Sequence, residues 1–375
     1  MPTSTAQGPL KGIRVLEFPA IGPAPFACML LADLGADVLR IERPPAKAQH
    51  LAYRGEGKYV VTTRGRPALP LDLKSPQDRE RALKLVASAD VVVEGFRPGV
   101  MERLGLGPVE CLAANPALVY GRMTGWGQEG PLAQAAGHDI NYIAVGAALH
   151  AIGPGDGKPV PPLNIVGDFG GGSLYLAFGI VSALLEARTS GRGQVVDAAI
   201  VDGSLSLMAM AMGRWSAGLW EDRRGSNMLD GGMPWYDTYE CADGKSIAVG
   251  ALEPQFYEEL RTRLGEDLPG VEQRDQPQVR EKLRDKLTAI FLRRTRDEWC
   301  EVFDGSDACV APVLSLAEVA AHPHNRARGN LVDIDGVQQP APAPRFSRTP
   351  GAIQSPAGSE PESGASRESR WLKGR

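Results

Sequence analysis

The chain has 375 residues, of which 43% are hydrophobic and 23% charged, and its formal net charge is −4 at pH 7. This composition indicates a globular protein with one large domain or two, and it argues against a nucleic-acid-binding face over the whole protein. Five scattered cysteines without a C-x-x-C pair and five dispersed histidines argue against a disulfide framework and a zinc site.

The first half of the chain alternates short apolar runs with helical patterns. Predicted strands cover residues 13–18, 38–41, 69–73, 90–94 and 118–123. Predicted helices cover residues 26–33, after a turn at 22–25, and residues 75–89, which open on Ser75 and Pro76. Strands and helices that alternate in this way predict an α/β fold with a large doubly wound, Rossmann-like domain.

The G-x-G-x-x-G fingerprint of dinucleotide binding is missing after the first predicted strand. Residues 20–25 stand there instead, and two of them, Pro23 and Pro25, have no N–H to donate to a pyrophosphate. A nicotinamide or flavin cofactor is therefore not expected.

The middle of the chain predicts two helices, one from about His138 toward His150 and one that starts after the glycines at 170–172 and runs to about Ala187. A strand at 194–200 and a long apolar helix to about Leu219 follow.

Domain boundaries follow from changes in composition. Residues 1–225 are assigned to the large α/β domain and residues 226–315 to a smaller α+β domain, which opens on a Gly-rich loop and a predicted hairpin at 235–249. Residues 316–349 are expected to return to the large domain. Residues 350–375 are rich in Pro, Ser, Gly and Arg and are predicted to be a disordered tail.

Sorting signals and membrane segments are not evident. The N-terminal residues are polar, the last three residues are not a peroxisomal address, and no run approaches the roughly 18 apolar residues of a membrane helix. We therefore expect a cytoplasmic protein without a membrane or nucleic-acid partner.

Three titratable residues at predicted helix starts are candidates for chemistry, although each has a structural alternative. His138 beside Asp139 is, by itself, more often a structural residue, and Asp168 before three glycines is most simply a cap or a turn residue. A helix N-terminus favours a neutral imidazole at His138 and a carboxylate at Asp168, and the glycines would offer free N–H groups to an enolate oxygen. Glu253 is either a first-turn acid or a group that orients a histidine.

Several longer segments, in order, carry a resemblance to a known family. They are residues 32–38, 95–100, 124–128, 137–142, 163–172, 227–232, 253–257 and 307–310. On these segments the chain resembles the α-methylacyl-CoA racemases, within the family III CoA-transferase (CaiB/BaiF) superfamily, over about residues 10–348.

The resemblance implies roles for individual residues. His138 and Asp168 would be the two catalytic bases, and Glu253 would hydrogen-bond the histidine from the partner subunit of an interlocked homodimer. The implied contacts to CoA are Arg43, Leu71, Asp72, Leu73, Lys74, Arg97, Arg103, Gly137, Asp139, Ile140, Asn141 and Tyr142. Without the family, Arg97 and Arg103 would be interpreted as solvated charges at a helix start.

The implied function is interconversion of (2R)- and (2S)-2-methylacyl-CoA thioesters by two-base proton transfer through an enolate, in lipid and fatty acid metabolism. No cofactor or metal is expected, since CoA is part of the substrate. One alternative is a family III CoA-transferase in which Asp168 is the nucleophile, and another is a non-catalytic CoA-binding protein. The preferred acyl chain is left open.

Overall fold

The computed structural model describes residues 7–44, 57–359 and 362–374. The chain divides into two compact units. The larger consists of Met1–Ala148, Pro162–Met208 and His324–Arg375, and the smaller of Leu149–Pro161 and Ala209–Pro323.

The larger unit is built on a six-stranded parallel sheet. Its strands are β1 (Arg14–Glu17), β2 (Asp37–Glu42), β3 (Ala68–Pro70), β4 (Val91–Glu94), β5 (Val119–Thr124) and β6 (Gln194–Ala199). Their order is β3-β2-β1-β4-β5-β6, which confirms the predicted doubly wound fold. The order reverses between β1 and β4, and in such sheets ligands bind outside the carboxyl ends of the strands at this point.

Helices cover both faces of this sheet. They are α1 (Pro23–Asp33), α2 (Pro76–Ser88), α3 (Val100–Arg103), α4 (Pro108–Ala114), α5 (Asp139–Val145), a π-helix (Ile165–Leu174), α7 (Tyr175–Ser190) and α8 (Ile200–Leu207), with two 3₁₀ turns at Gly57–Tyr59 and Val61–Thr63. A further short helix, α6 (Ala148–Ala151), belongs to the smaller unit apart from its first residue. Alternate residues of β1, β2 and β4 enter two apolar cores, one against α1 and α7 and one against α2 and α4.

Four predictions about helices are wrong in detail. The long helix predicted to run to about Leu219 is interrupted at Met208, between α8 and a second helix at Ala209–Ser216. The predicted turn at 22–25 is the first turn of α1, since proline at a helix start costs no hydrogen bond. The predicted helix from His138 to His150 is broken at Gly146 and Ala147, and Ala147 has a φ of 63°. The helix expected to begin after the glycines at 170–172 begins before them, at Ile165.

The π-helix and α7 form one continuous helical segment, Ile165–Ser190, that is long and apolar enough to span a membrane by length and composition. This corrects the expectation that no segment passes that test. A core helix of a globular protein passes it too, and one face of α7 packs on the sheet through residues spaced by helical turns, namely Leu176, Ile180, Ala183 and Ala187.

The smaller unit has a three-stranded antiparallel sheet of β7 (Tyr236–Glu240), β8 (Ser246–Gly250) and β9 (Val310–Pro312). Its helices are α9 (Ala209–Ser216), α10 (Pro254–Leu264), α11 (Val271–Arg274), α12 (Pro277–Phe291) and α13 (Arg296–Phe303). Its core is rich in aromatic residues. This unit begins earlier than the predicted residue 226, because α9 and the segment at 149–161 belong to it.

The C-terminal segment returns to the larger unit through α14 (Pro323–Arg328), β10 (Leu331–Ile334) and β11 (Val337–Pro340). The prediction of a disordered tail after residue 350 is wrong for the described residues, because α15 (Gly364–Leu372) packs on the edge of the sheet. Trp371 is fully buried there, and its indole N–H donates to Asp37 at 2.8 Å. The composition of the tail concealed this single large apolar anchor.

Candidate active site

The carboxyl ends of β1 and β4 carry the loops that meet at the reversal of strand order. The loop after β1 reaches Gly22, and the loop after β4 starts at Gly95. A Cβ at Gly95 would lie 2.8 Å from that of Ala20, so glycine lets the two loops approach closely. A Cβ at Gly22 would lie 3.0 Å from Oδ2 of Asp168, which places this carboxylate beside the first loop.

His138 is the residue before the first turn of α5, and its side chain is exposed. Its backbone is extended, and its N–H donates to the side-chain oxygen of Asn141 at 3.0 Å. Asn141 thereby satisfies a backbone donor at the start of the helix. The imidazole is therefore exposed, whereas the backbone of His138 is held by the hydrogen bond to Asn141.

Asp168 lies in the first turn of the π-helix and is joined to α5 by Asp139. The side chain of Asp139 accepts the backbone N–H of Asp168 at 2.6 Å, and the N–H of Gly167 is a second donor to the same carboxylate. Asp139 therefore caps the π-helix from outside. Since Asp139 directly follows His138, this contact brings the two candidate bases together.

The protonation of Asp168 differs from the expectation that the helix field favours a carboxylate. Burial raises the pKa of Asp168, the charge of Asp139 raises it further, and the Asn164 amide and the charge of His138 oppose these effects. Burial also raises the pKa of Asp139. Asp168 thus keeps a proton to higher pH than an ordinary aspartate.

The glycines at 170–172 do not offer free N–H groups, contrary to the prediction. They lie inside the π-helix, whose backbone groups bond along the helix. Their role is close packing: a Cβ at Gly203 of α8 would overlap the backbone of Gly171, and one at Gly171 would come within 2.7 Å of Ser204. The glycines thereby seat the segment that carries Asp168 against α8.

Tyr142 lies near both Asp168 and Arg97. Its ring is buried against the backbones of Gly125 and Gly137, where side chains would collide with it, and it meets Trp126 edge to face at 4.8 Å. Burial and the charge of Asp168 raise the pKa of Tyr142, whereas the charge of Arg97 lowers it. Arg97, Tyr142 and Asp168 therefore lie within electrostatic reach of one another.

The candidate nucleotide contacts lie at the carboxyl ends of β2 and β3. Arg43 is exposed after β2, and the N–H of Leu71 donates to the carbonyl of Glu42 at 2.9 Å, so Arg43 and residues 71–74 are adjacent. Leu71 itself is buried in the core, which leaves only its backbone for a ligand. Asp72 closes a turn: its side chain accepts the N–H of Lys74 at 3.2 Å.

Glu253 lies in the smaller unit, at the residue before α10, and its side chain is exposed. Its charge is one of the effects that raise the pKa of Cys309, after burial of that thiol. The smaller unit therefore presents Glu253 at a helix start, beside the end of the turn that leads into β9.

Two contacts of Asp168 were not found from the sequence. Asn164 donates a long hydrogen bond of 3.4 Å to its carboxylate, and Gly22 lies against it. The spacing of Asn164 and Asp168, four residues apart, becomes informative only once the helix is known to start at Ile165. Among the described residues, no three His, Cys, Asp or Glu side chains form a group that could hold a metal.

Comparison with known proteins places these features in context. The family model described as CoA-transferase family III matches residues 10–366. α-Methylacyl-CoA racemase of Mus musculus is 45% identical over 346 residues, covering 91% of this chain and 87% of the relative. The racemase of Homo sapiens is 43% identical over 348 residues, with the same coverage.

More distant relatives include transferases. Succinyl-CoA–D-citramalate CoA-transferase of Chloroflexus aurantiacus is 30% identical over 365 residues, covering 92% of this chain and 89% of the relative. Among solved structures, a CAIB/BAIF family protein from Brucella suis matches with a TM-score of 0.80 and 28% identity, over 97% of this chain and 100% of that one.

Proposed function

This chain belongs to CoA-transferase family III, and on that premise we propose that it is an α-methylacyl-CoA racemase. The proposed reaction interconverts the (2R) and (2S) epimers of 2-methylacyl-CoA thioesters. One observation carries the proposal: Asp139, the residue after His138, accepts the backbone N–H of Asp168 at an N···O distance of 2.6 Å. This hydrogen bond holds the two candidate bases near each other.

A two-base reaction needs one acid and one base, positioned on opposite sides of C2 of the substrate. One base takes the C2 proton and leaves an enolate, and the conjugate acid of the other delivers a proton to the opposite face. The raised pKa of Asp168 supports its part as the acid in one direction, and its carboxylate serves as the base in the other. The proton transfers balance without an electron acceptor, so no redox cofactor is proposed.

CoA transfer is the alternative activity of the family. There the Asp168 carboxylate would attack the thioester carbonyl and displace CoA as its thiolate, leaving an anhydride with the acyl group, and no second base would be needed. The greater similarity to racemases, 45% and 43% against 30% for the citramalate transferase, favours racemisation.

The test is incubation of the purified protein with a single epimer of a 2-methylacyl-CoA in heavy water. Racemisation predicts loss of optical activity together with one deuteron at C2, read by mass spectrometry and chiral separation. Exchange of CoA onto a free carboxylate without deuterium uptake would support the transferase instead. Binding of CoA with neither reaction would support the non-catalytic alternative.

An Asp139→Asn variant is expected to shift the pH profile of this reaction. The amide oxygen still accepts the N–H groups of the π-helix, but the negative charge that raises the pKa of Asp168 is gone. The limb of kcat/KM that reports Asp168 should therefore move to lower pH. The pH dependence of deuterium exchange measures this shift, with the exposed Asp156→Asn as the control. A limb that stays in place would contradict the assigned coupling.

A second copy of the chain is also part of the proposal, because the continuous helical segment Ile165–Ser190 presents an apolar stripe away from the sheet. Its members recur at helical spacing on the exposed face, namely Leu174, Phe178, Val181 and Leu185. In the smaller unit, Met210 and Trp215 of α9 are likewise exposed. Apolar surface of this extent is unusual for a monomer and is typical of a permanent interface. In the homodimer that the resemblance implies, Glu253 would come from the partner subunit.

Phe178 and Leu185 are 75% and 70% exposed, and the double variant Phe178→Glu with Leu185→Glu is expected to prevent this association. The double variant should elute as a monomer in light-scattering chromatography, because charges do not bury without partners. It should also lose at least about tenfold in activity, because a monomer would lack the Glu253 that the partner subunit supplies. Val109→Glu, at an equally exposed apolar position on α4, is the control. A double variant that remains dimeric would refute this interface.

We further propose a cytoplasmic protein that acts on soluble acyl-CoA.

A further inference from the structure

A buried ion-pair network lies directly beneath the loop that carries Arg97. Glu94 ends β4, and Arg122 is its register partner on β5. The Nε of Arg122 donates to Glu94 at 2.9 Å, and its Nη1 donates to Glu102 of α3 at 2.8 Å. Glu94 and Arg122 are both buried, whereas Glu102 is partly exposed. We call these three residues the clasp.

The clasp holds the backbone of the loop at both ends. The second oxygen of Glu94 accepts the N–H of Phe96 at 2.7 Å. The N–H of Gly99 is among the partners that lower the pKa of Glu102. Arg122 ties both carboxylates together, so the segment from Phe96 to Gly99 is fixed by two carboxylates that share one guanidinium.

Two exposed arginines lie on this held segment and on α3, which follows it directly. Arg97 lies within the held segment, and its carbonyl accepts the N–H of Val100 at 3.1 Å, so the loop leads directly into α3. Arg103 ends α3, and a Cβ at Gly99 would lie 3.1 Å from its Nη1. Both cations therefore stand over one short loop beside the reversal of strand order, where anionic ligands of such sheets bind.

Stability alone is a poor reason for the clasp. Burial raises the pKa of Glu94 to about 7 although the Phe96 N–H and Arg122 oppose it, so this carboxylate is costly to keep ionised. Buried ion pairs are often matched by apolar residues of similar size. A charged network gives something that apolar residues cannot, namely fixed acceptors for particular backbone N–H groups.

We propose that Glu94, Arg122 and Glu102 are positioning residues that orient Arg97 and Arg103 toward the phosphates of CoA. This inference rests on the proposed function, since CoA is the ligand. The clasp acts on the nucleotide end of the thioester, and the acyl end and its C2 proton are handled by Asp168 and His138. Loss of the clasp therefore weakens binding of the phosphates and leaves the chemical step intact.

The experiment compares two ligands that differ only in the phosphate-bearing nucleotide. Glu94→Gln keeps the size of the side chain but turns an amide NH₂ toward one of two donors, Arg122 or the Phe96 N–H. We expect it to raise Kd for CoA, by calorimetry, and KM for the acyl-CoA about tenfold, with kcat within about twofold. KM for the matching acyl-pantetheine thioester, which lacks the nucleotide, should stay unchanged. Glu102→Gln, at a partly exposed residue, should give a smaller change in the same direction even where Glu94→Gln folds poorly.

The control is Glu80→Gln, because Glu80 is exposed on α2 and its ion pair is with Lys84 of the same helix, at 2.7 Å. Equal losses on both thioesters, or an unchanged Kd for CoA in both clasp variants, would overturn the proposal. CoA affinity is measured without turnover, so a wild-type protein that binds CoA but exchanges no C2 proton fails the proposed racemisation while the clasp is still tested. A wild-type protein that binds no CoA overturns both.

Discussion

An Asp168→Asn variant is expected to lose at least about 1000-fold in kcat/KM for racemisation, because general acid–base catalysis contributes about 100- to 10,000-fold and an amide can neither give nor take the proton. The substitution preserves size, and the backbone N–H of residue 168 remains bound to Asp139. The fold of the π-helix should therefore persist. Deuterium exchange with circular dichroism as a check on folding measures the effect.

The variant should also separate exchange from inversion. With Asp168 disabled, His138 can still remove the C2 proton of the epimer that faces it and return a deuteron to the same face. That epimer should exchange with retention, and the other should not exchange. A His138→Gln variant should show the opposite preference, since Asp168 then acts alone.

The Asp156→Asn variant controls for the loss of a carboxylate, because Asp156 is exposed in the smaller unit. It should racemise at the wild-type rate. If both base variants exchange the same epimer, or if either one still racemises freely, the assignment of two opposing bases is wrong.

A Trp371→Ala variant is expected to lower the free energy of unfolding of the larger unit by about 3–5 kcal/mol, the range for a fully buried large side chain. Trp371 has 0% exposure, contacts the core formed with α2, and donates its N–H to Asp37. The loss would leave a cavity and remove one of the hydrogen-bond donors to Asp37, which would keep its contacts with Arg367 and Arg370. Urea unfolding, with hydrogen exchange of β1 and β2 amides to identify the unit affected, measures it.

The neighbouring Leu372→Ala variant is the matched control, because Leu372 is 46% exposed. Its effect should stay within about 0.5 kcal/mol, as for surface positions. A Trp371→Ala protein as stable as the wild type would mean that the tail contributes nothing to the fold, as its composition first indicated.

The parallel sheet could be predicted because its strands are continuous apolar runs with helices between them. Residues 91–93, for example, are three valines, a pattern that only a strand buried on both faces explains in this context. The hairpin of β7 and β8 could be predicted for the same reason. Such signals are local, so one sequence suffices to find them.

The arrangement of the site could not be predicted from local signals. Asp139 was expected to contact the ligand, yet its side chain accepts N–H groups 28 and 29 residues away along the chain, at Gly167 and Asp168. The glycines at 170–172 were predicted to precede the helix, because glycine lowers helix propensity, but they lie inside it and pack closely against Gly203. The roles of His138, Asp168 and Glu253 remain predictions of the resemblance that the proposed variants test.

The contact between the two ends of the larger unit was the least predictable feature. Neither the sequence around residue 14 nor that around residue 371 carries a local pattern that indicates it. Arg14, in the first strand, donates to the carbonyl of Trp371 in the last helix and to that of Gly374 just after it. During synthesis, β1 and β2 emerge long before Trp371, the side chain that completes their core. The larger unit therefore cannot complete this core until Trp371 has been made, and the smaller unit, whose residues all precede Trp371, is free to fold first.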